Sequence, residues 1–201
     1  MEVNRNDNAL HDRVQYRLPM KSPRYFIVSP VNGKRYNNTI NISGVDFITS
    51  TDDENHLNVN REAVCHAVPA NYNGPVEPGD ILLVHHNVFR LYNDMTGYQK
   101  SGRSFLKDDQ FFVEPEQFYM YKRNGMWMPY GENSFARVPD TGKTEAELVY
   151  VSNEMKRKGL KSGDMAAFVP GCVYEFGVDG EILYRIMDNH IVMQWDNQIQ
   201  R

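Results

Sequence analysis

Pro78-Gly79-Asp80-Ile81 and Ser162-Gly163-Asp164-Met165 lie 84 residues apart and repeat one pattern, a turn residue, Gly-Asp and the start of an apolar run. Two further matches keep almost the same spacing. Glu62-Ala63-Val64 recurs as Glu147-Leu148-Val149, and Val88-Phe89-Arg90-Leu91 as Val173-Tyr174-Glu175-Phe176, each 85 residues on. Phe118-Tyr119-Met120 falls opposite Ile191-Val192-Met193 in order along each half, which ends the first copy near Tyr121. A fixed internal period is the signature of a duplicated unit, and it sets the architecture before any motif is considered.

Working outward from these turns, the dominant periodicity is two, which is that of strands. Segments rich in β-branched and aromatic residues and bounded by Gly, Pro or Asn are 24–29, 62–68, 80–86, 111–113, 118–121, 135–138, 148–151, 165–169, 173–176, 182–186 and 191–195. Val178-Asp179-Gly180-Glu181 is a hairpin turn, because Asp-Gly tolerates the positive φ angles of a two-residue loop. Helical spacing occurs only in 145–158. The fold class is therefore all-β, with a polar N-terminal extension at 1–21, a first domain at 22–122 and a second at 123–201. One asymmetry separates the copies. A long polar segment, 31–61, follows the first strand, whereas its counterpart at 140–146 is a short connection. Loops of that length without secondary structure are commonly functional.

Composition excludes several function classes. The hydrophobic share of 41% and charged share of 24% are those of a packed globule. A net charge of −4 offers no basic face for phosphates, so nucleic acid is not the expected partner. No apolar run is long enough to span a membrane, and 1–20 lacks the apolar centre of a signal peptide, so a cytoplasmic location is expected. Cys65 and Cys172 sit in apolar runs and read as buried thiols.

Candidate chemistry is sparse. His85-His86 with His66 is the best set of imidazoles, but adjacent strand residues point to opposite faces, so no metal site is expected there. Gly97 and Gly102 flank a segment without the Lys-Ser/Thr ending of a phosphate loop and read as a surface hairpin. Asp52-Asp53-Glu54 reads as a solvated loop, and the aromatic stretch between Phe105 and Tyr130 as a core joining the two domains. No catalytic residue, metal or cofactor is expected.

The order of elements in each copy is an opening strand, a loop, a strand, then Gly-Asp entering an apolar strand, a hairpin and a closing strand. With Leu160-Lys161-Ser162-Gly163-Asp164, Tyr174-Glu175-Phe176, Asp179-Gly180-Glu181 and Leu183-Tyr184-Arg185-Ile186, this order resembles the GroES-type co-chaperonins, the chaperonin ten-kilodalton family, as two tandem copies over roughly 22–195. The resemblance implies two small β-barrels, a mobile loop that docks on a GroEL-type chaperonin, and a homo-oligomeric ring, expected to be a heptamer, that caps the folding chamber while the partner hydrolyses ATP. Within 31–61 the apolar residues available for docking are Ile40, Ile42, Val45, Phe47 and Ile48. This sequence has no match to the family's usual apolar triplet, and the second copy has no comparable loop. The alternative for 40–42 or 47–48 is an edge strand. Rival functions are a structural β-barrel subunit of a viral or other assembly, and a cupin-like metal enzyme.

Overall fold

The computed structural model describes residues 22–42, 45–48, 57–138 and 144–195, with 39–42 and 45–48 described by backbone alone. The strands are β1 (Phe26–Pro30), β2 (Thr39–Ile42), β3 (Val45–Ile48), β4 (Glu62–Ala67), β5 (Ile81–Val84), β6 (Leu91–Asn93), β7 (Gln99–Ser101), β8 (Phe105–Lys107) and β9 (Gln110–Val113). They continue with β10 (Phe118–Arg123), β11 (Met126–Pro129), β12 (Asn133–Arg137), β13 (Glu145–Tyr150), β14 (Met165–Phe168), β15 (Tyr174–Val178), β16 (Glu181–Met187) and β17 (Ile191–Trp195). The protein is all-β, and every stretch read as a strand from periodicity contains one. Segment 145–158 divides: 145–150 is β13, alternating Ala146 and Leu148 into the core, and only α1 (Asn153–Arg157) is helical. Ser152 caps α1 by accepting a hydrogen bond from the Met155 amide at 3.0 Å, and Gly159 at φ 97° follows its end.

Two sheets carry the chain, in the orders β11-β10-β5-β4-β1-β9-β8 and β15-β16-β12-β13-β14-β17. The run β10-β5-β4-β1-β9 of the first is matched by β17-β14-β13-β12-β16 of the second, antiparallel throughout. The registers agree as well. Val28 opposes Cys65 and Phe111 as Ala136 opposes Leu148 and Tyr184. Met120 opposes Leu83 as Met193 opposes Ala167. The bulge between Ile27 and Val28 recurs between Phe135 and Ala136, and the irregularity where β10 meets β5 recurs where β17 meets β14. The chain is a structural duplication, and Phe118-Tyr119-Met120 does stand opposite Ile191-Val192-Met193.

Two of the sequence equivalences shift. Glu62 opposes Leu83 and Glu145 opposes Ala167, so Glu62 corresponds to Glu145 and not to Glu147. A slip of two residues keeps every side chain on its face, so alternation alone cannot detect it. Val88–Leu91 forms the end of a 3-10 turn and the start of β6, whereas 174–178 is the edge strand beside β16. By pairing, the counterpart of β15 is β8, which lies beside β9.

The expected barrels are not closed. Each sheet is open, with β11 and β8 at the edges of one and β15 and β17 at the edges of the other. Bulges bend each sheet without bringing its end strands into hydrogen-bonding contact. The β10 strand runs past 122 to Arg123 and turns through Asn124 (φ 51°) and Gly125 (φ 78°) into β11. Asn-Gly is a strong hairpin signal in its own right.

Phe26, Val28, Phe111 and Phe118 centre the core of the first copy, and Leu148, Phe168 and Ile186 that of the second. A third cluster spans the junction, with Leu83, Tyr119, Met120 and Trp127 from one side and Phe135, Phe176, Val178 and Leu183 from the other. The aromatic stretch therefore divides its work: Tyr119 and Trp127 join the copies, while Phe111 and Phe118 belong to the first core. Arg185 lies 4.3 Å over the Tyr119 ring, Arg61 lies 4.9 Å over Phe176, and Lys122 bridges to Asp179 at 2.6 Å. Among the described residues no helix is long and apolar enough to cross a membrane.

Asp80 illustrates how the repeated turn is held. It is buried and receives Arg123 Nε at 2.8 Å, Arg123 Nη2 at 2.7 Å and the Glu77 amide at 2.8 Å. Burial by itself pushes its carboxyl pKa up, but these bonds and the Arg123 charge outweigh it and hold the pKa below the usual value. A depressed folded-state pKa means that this contribution is present above the unfolded value of about 3.9 and is lost as pH falls through the lower folded value. Asp80→Asn is expected to reduce stability at pH 7, by about 1–3 kcal/mol. Urea midpoints measured from pH 6 to pH 2 are expected to fall less steeply below about pH 4 for the variant than for the parent.

Candidate functional site

The 31–61 segment leaves β1 through a short 3-10 turn, Val31–Gly33, in which Asn32 takes a φ of 59° and Gly33 one of 65°. Its two stems then come back together. Tyr36 and Val59 form an antiparallel bridge, the Asn37 amide donates to the Asn58 carbonyl at 2.7 Å, and the Asn60 amide donates to the Arg35 carbonyl at 2.9 Å. Asn60 is buried and satisfies three backbone groups. Its Nδ2 donates to the Val31 and Lys34 carbonyls at 3.1 and 2.8 Å, and its Oδ1 accepts from the Glu62 amide at 2.9 Å. Tyr36 and Val59 are both buried in the first core, and the Tyr36 hydroxyl accepts from the Leu91 amide at 2.8 Å. Arg35 lies 5.0 Å over the Phe111 ring and donates to the Phe89 carbonyl and Ser101 Oγ at 2.8 and 2.9 Å. Burial pulls its guanidinium pKa below the usual value, with Tyr36 and Asp109 opposing. These residues join the two stems in a neck.

Beyond the neck, β2 and β3 pair only with each other among the described residues. The segment thus carries a hairpin instead of running without secondary structure, and both edge-strand alternatives, 40–42 and 47–48, fall within it. Ile40 opposes Phe47 and Ile42 opposes Val45, while Thr39 opposes Ile48 and Asn41 opposes Asp46. Directly opposed positions and their i+2 neighbours share a face, so Ile40, Ile42, Val45 and Phe47 occupy one face of the ribbon and Ile48 the other. The side chains of these five candidates lie outside the described residues, as does Asp52-Asp53-Glu54.

The histidines behave differently from the expectation. The strand ends at Val84, His85 caps the following 3-10 turn His86–Val88, and the two imidazoles lie side by side with centroids 4.2 Å apart. Alternation across a strand no longer applies where the strand has stopped. His85 stacks on Tyr174 at 5.6 Å, and His86 Nδ1 hydrogen-bonds the Tyr174 hydroxyl across the junction. His66 instead pairs with Ser29 Oγ at 2.7 Å. Among the described residues no three His, Cys, Asp or Glu side chains converge as metal ligands.

No family model, curated protein or solved structure matches this chain.

Sequence reasoning located the 31–61 excursion but not its neck. The missed residues are Arg35, Tyr36, Val59 and Asn60; Tyr36 and Val59 are apolar, but so are several residues between them, and no local pattern singles the pair out. Gly97 and its neighbours do form a surface hairpin, β6–β7, whose Asp94 accepts from the Thr96 and Tyr98 amides at 2.9 and 3.0 Å. Cys65 is buried in β4, whereas Cys172 is half-buried in the connection before β15, so the expectation of a buried strand thiol holds for the first alone.

Asn60→Ala removes three side-chain hydrogen bonds to backbone groups at the neck. It is expected to cost about 1–3 kcal/mol and to speed amide exchange at Asn37, Asn60 and Glu62, read by mass spectrometry. Burial, with a smaller push from the Asp80 charge, raises the Cys65 thiol to about 12, and burial also raises Cys172. At pH 8 in native buffer, iodoacetamide is expected to label Cys172 well before Cys65, and Cys65 only after denaturation.

Proposed function

We propose that the chain is a tandem co-chaperonin-like binding protein without catalytic chemistry of its own, and that the β2–β3 hairpin is the element that docks on a GroEL-type chaperonin. The observation that carries this reading is the asymmetry between two copies that otherwise share strand order, register and bulges. Among the described residues only the first raises a hairpin from a braced neck, and that hairpin gathers four apolar positions on one face. A neck that fixes where the hairpin leaves the sheet lowers the entropy lost on docking.

Burying three apolar side chains stabilises a contact by roughly 5–9 kcal/mol, while ordering the segment costs about 2–5 kcal/mol or more. One hairpin then binds weakly and reversibly, and several on one ring bind by avidity. A homo-oligomeric ring, a heptamer by the resemblance, fits this requirement, with a cytoplasmic location and with ATP turned over by the partner. The edge strand β17 supports self-association. Its counterpart β10 is covered by β11, whereas among the described residues β17 has no second neighbour and exposes Val192 and Met193. A second copy of this chain is the occupant that suits it.

Mixing the protein with a GroEL-type chaperonin and ATP is expected to give a co-eluting complex in size-exclusion chromatography. The double variant Ile42→Ser/Phe47→Ser is expected to lose that complex while its stability changes by less than about 1 kcal/mol. A variant that unfolds places the two residues in a core, and one that still co-elutes removes them from the contact. Either result ends the docking assignment.

A further inference from the structure

The insertion β6–β7, which the second copy lacks, stands over a cleft of about 610 Å³ lined by Asn87, Arg90, Tyr92, Arg103, Ser104 and Gln117, with Gly102 at its wall. Its charge is unusual for this chain. The protein as a whole carries −4, yet the cleft is lined by two arginines and no carboxylate. A comparable cleft of about 590 Å³ beside α1 mixes Arg157 and Lys158 with Glu132, Glu154 and Asp188. The cleft at the Gly79-Asp80 turn holds Arg123, already engaged by Asp80.

Arg90 is held where a ligand would need it. Its amide donates to the His86 carbonyl at 3.1 Å, and its carbonyl accepts from Gly102 at 3.3 Å and from Arg35 Nη2 at 3.3 Å. Its side-chain Nε is buried and has no hydrogen-bond partner among the described residues. Gly102 permits the close approach, since a Cβ there would lie 3.2 Å from the Asn87 carbonyl oxygen. Arg103 is largely exposed, and among the described residues its one ion pair runs from Nη2 to Glu114 at 3.3 Å. Gln117 uses its Oε1 to accept from the Glu114 amide at 3.0 Å, so its NH2 is the group left for a ligand.

We propose that this cleft binds a phosphate monoester carried on a planar organic body. Guanidinium groups recognise phosphate oxygens through paired, charge-assisted hydrogen bonds, and the half-exposed Tyr92 ring at the rim supplies a face on which a planar group stacks. The site is separate from the hairpin proposed to dock on a chaperonin and does not depend on that reading.

Isothermal titration with phenyl phosphate and, separately, inorganic phosphate tests it on the intact protein. Saturable one-to-one binding of phenyl phosphate is expected, weakened about tenfold or more in Arg90→Gln and in the surface variant Arg103→Gln, and unchanged in Arg157→Gln. Tyr92→Ser is expected to bring phenyl phosphate down to the affinity of inorganic phosphate. Absence of saturable binding, or equal binding by the parent and Arg103→Gln with its fold confirmed by circular dichroism, overturns the proposal. Inorganic phosphate binding as tightly as phenyl phosphate to the parent overturns the assignment of a planar body.

Discussion

The Gly-Asp turn before the third strand of each copy constrains everything around it. The Gly79 amide donates to the Cys65 carbonyl at 2.7 Å and the Cys65 amide to the Asp80 carbonyl at 2.8 Å. Gly163 and Asp164 make the same exchange with Leu148 at 2.7 and 2.9 Å. In each case the aspartate side chain accepts from the amide three residues earlier, Glu77 or Lys161, at 2.8 Å. Gly79 and Gly163 hold φ values of 100° and 91°, which L residues rarely adopt. The turn locks β4 to β5 and β13 to β14 in one register. Because side chains alternate, that register decides which residues of four further strands face a core.

From this shared frame the copies part where the chain leaves the sheet. The first adds the β2–β3 excursion, the β6–β7 hairpin and β11, whereas the second adds α1 between β13 and β14. Arg35 links the two additions, bonding the Phe89 carbonyl and Ser101 Oγ from the base of the neck. The hairpin proposed to dock and the cleft proposed to bind an anion use different residues.

The junction is the second place where tertiary structure adds chemistry. Phe176 packs edge-on to Tyr119 and Phe135 at 5.4 and 5.7 Å, and Arg61 and Arg185 lie over rings of that cluster. Cations over aromatic faces are attracted by the rings' quadrupoles and add to the packing of the seam. His85, His86 and Tyr174 meet at the same seam although 88 residues separate the last two, so no local pattern could have joined them.

By itself the sequence determined the all-β class, the duplication and every strand of the two sheets except β8 and β11, because alternation, Gly-Asp and Asp-Gly are local signals that follow from backbone sterics. It also marked 31–61 as the asymmetric segment. Tertiary structure decided the rest. The two-residue slip between Glu62 and Glu145 is invisible to a period of two, and open sheets and closed barrels share one strand pattern, since closure depends on whether end strands meet. The neck at Tyr36, Val59 and Asn60, the neighbouring imidazoles and the arginine cleft all arise from residues far apart in the chain, brought together only once the sheets have set their distances.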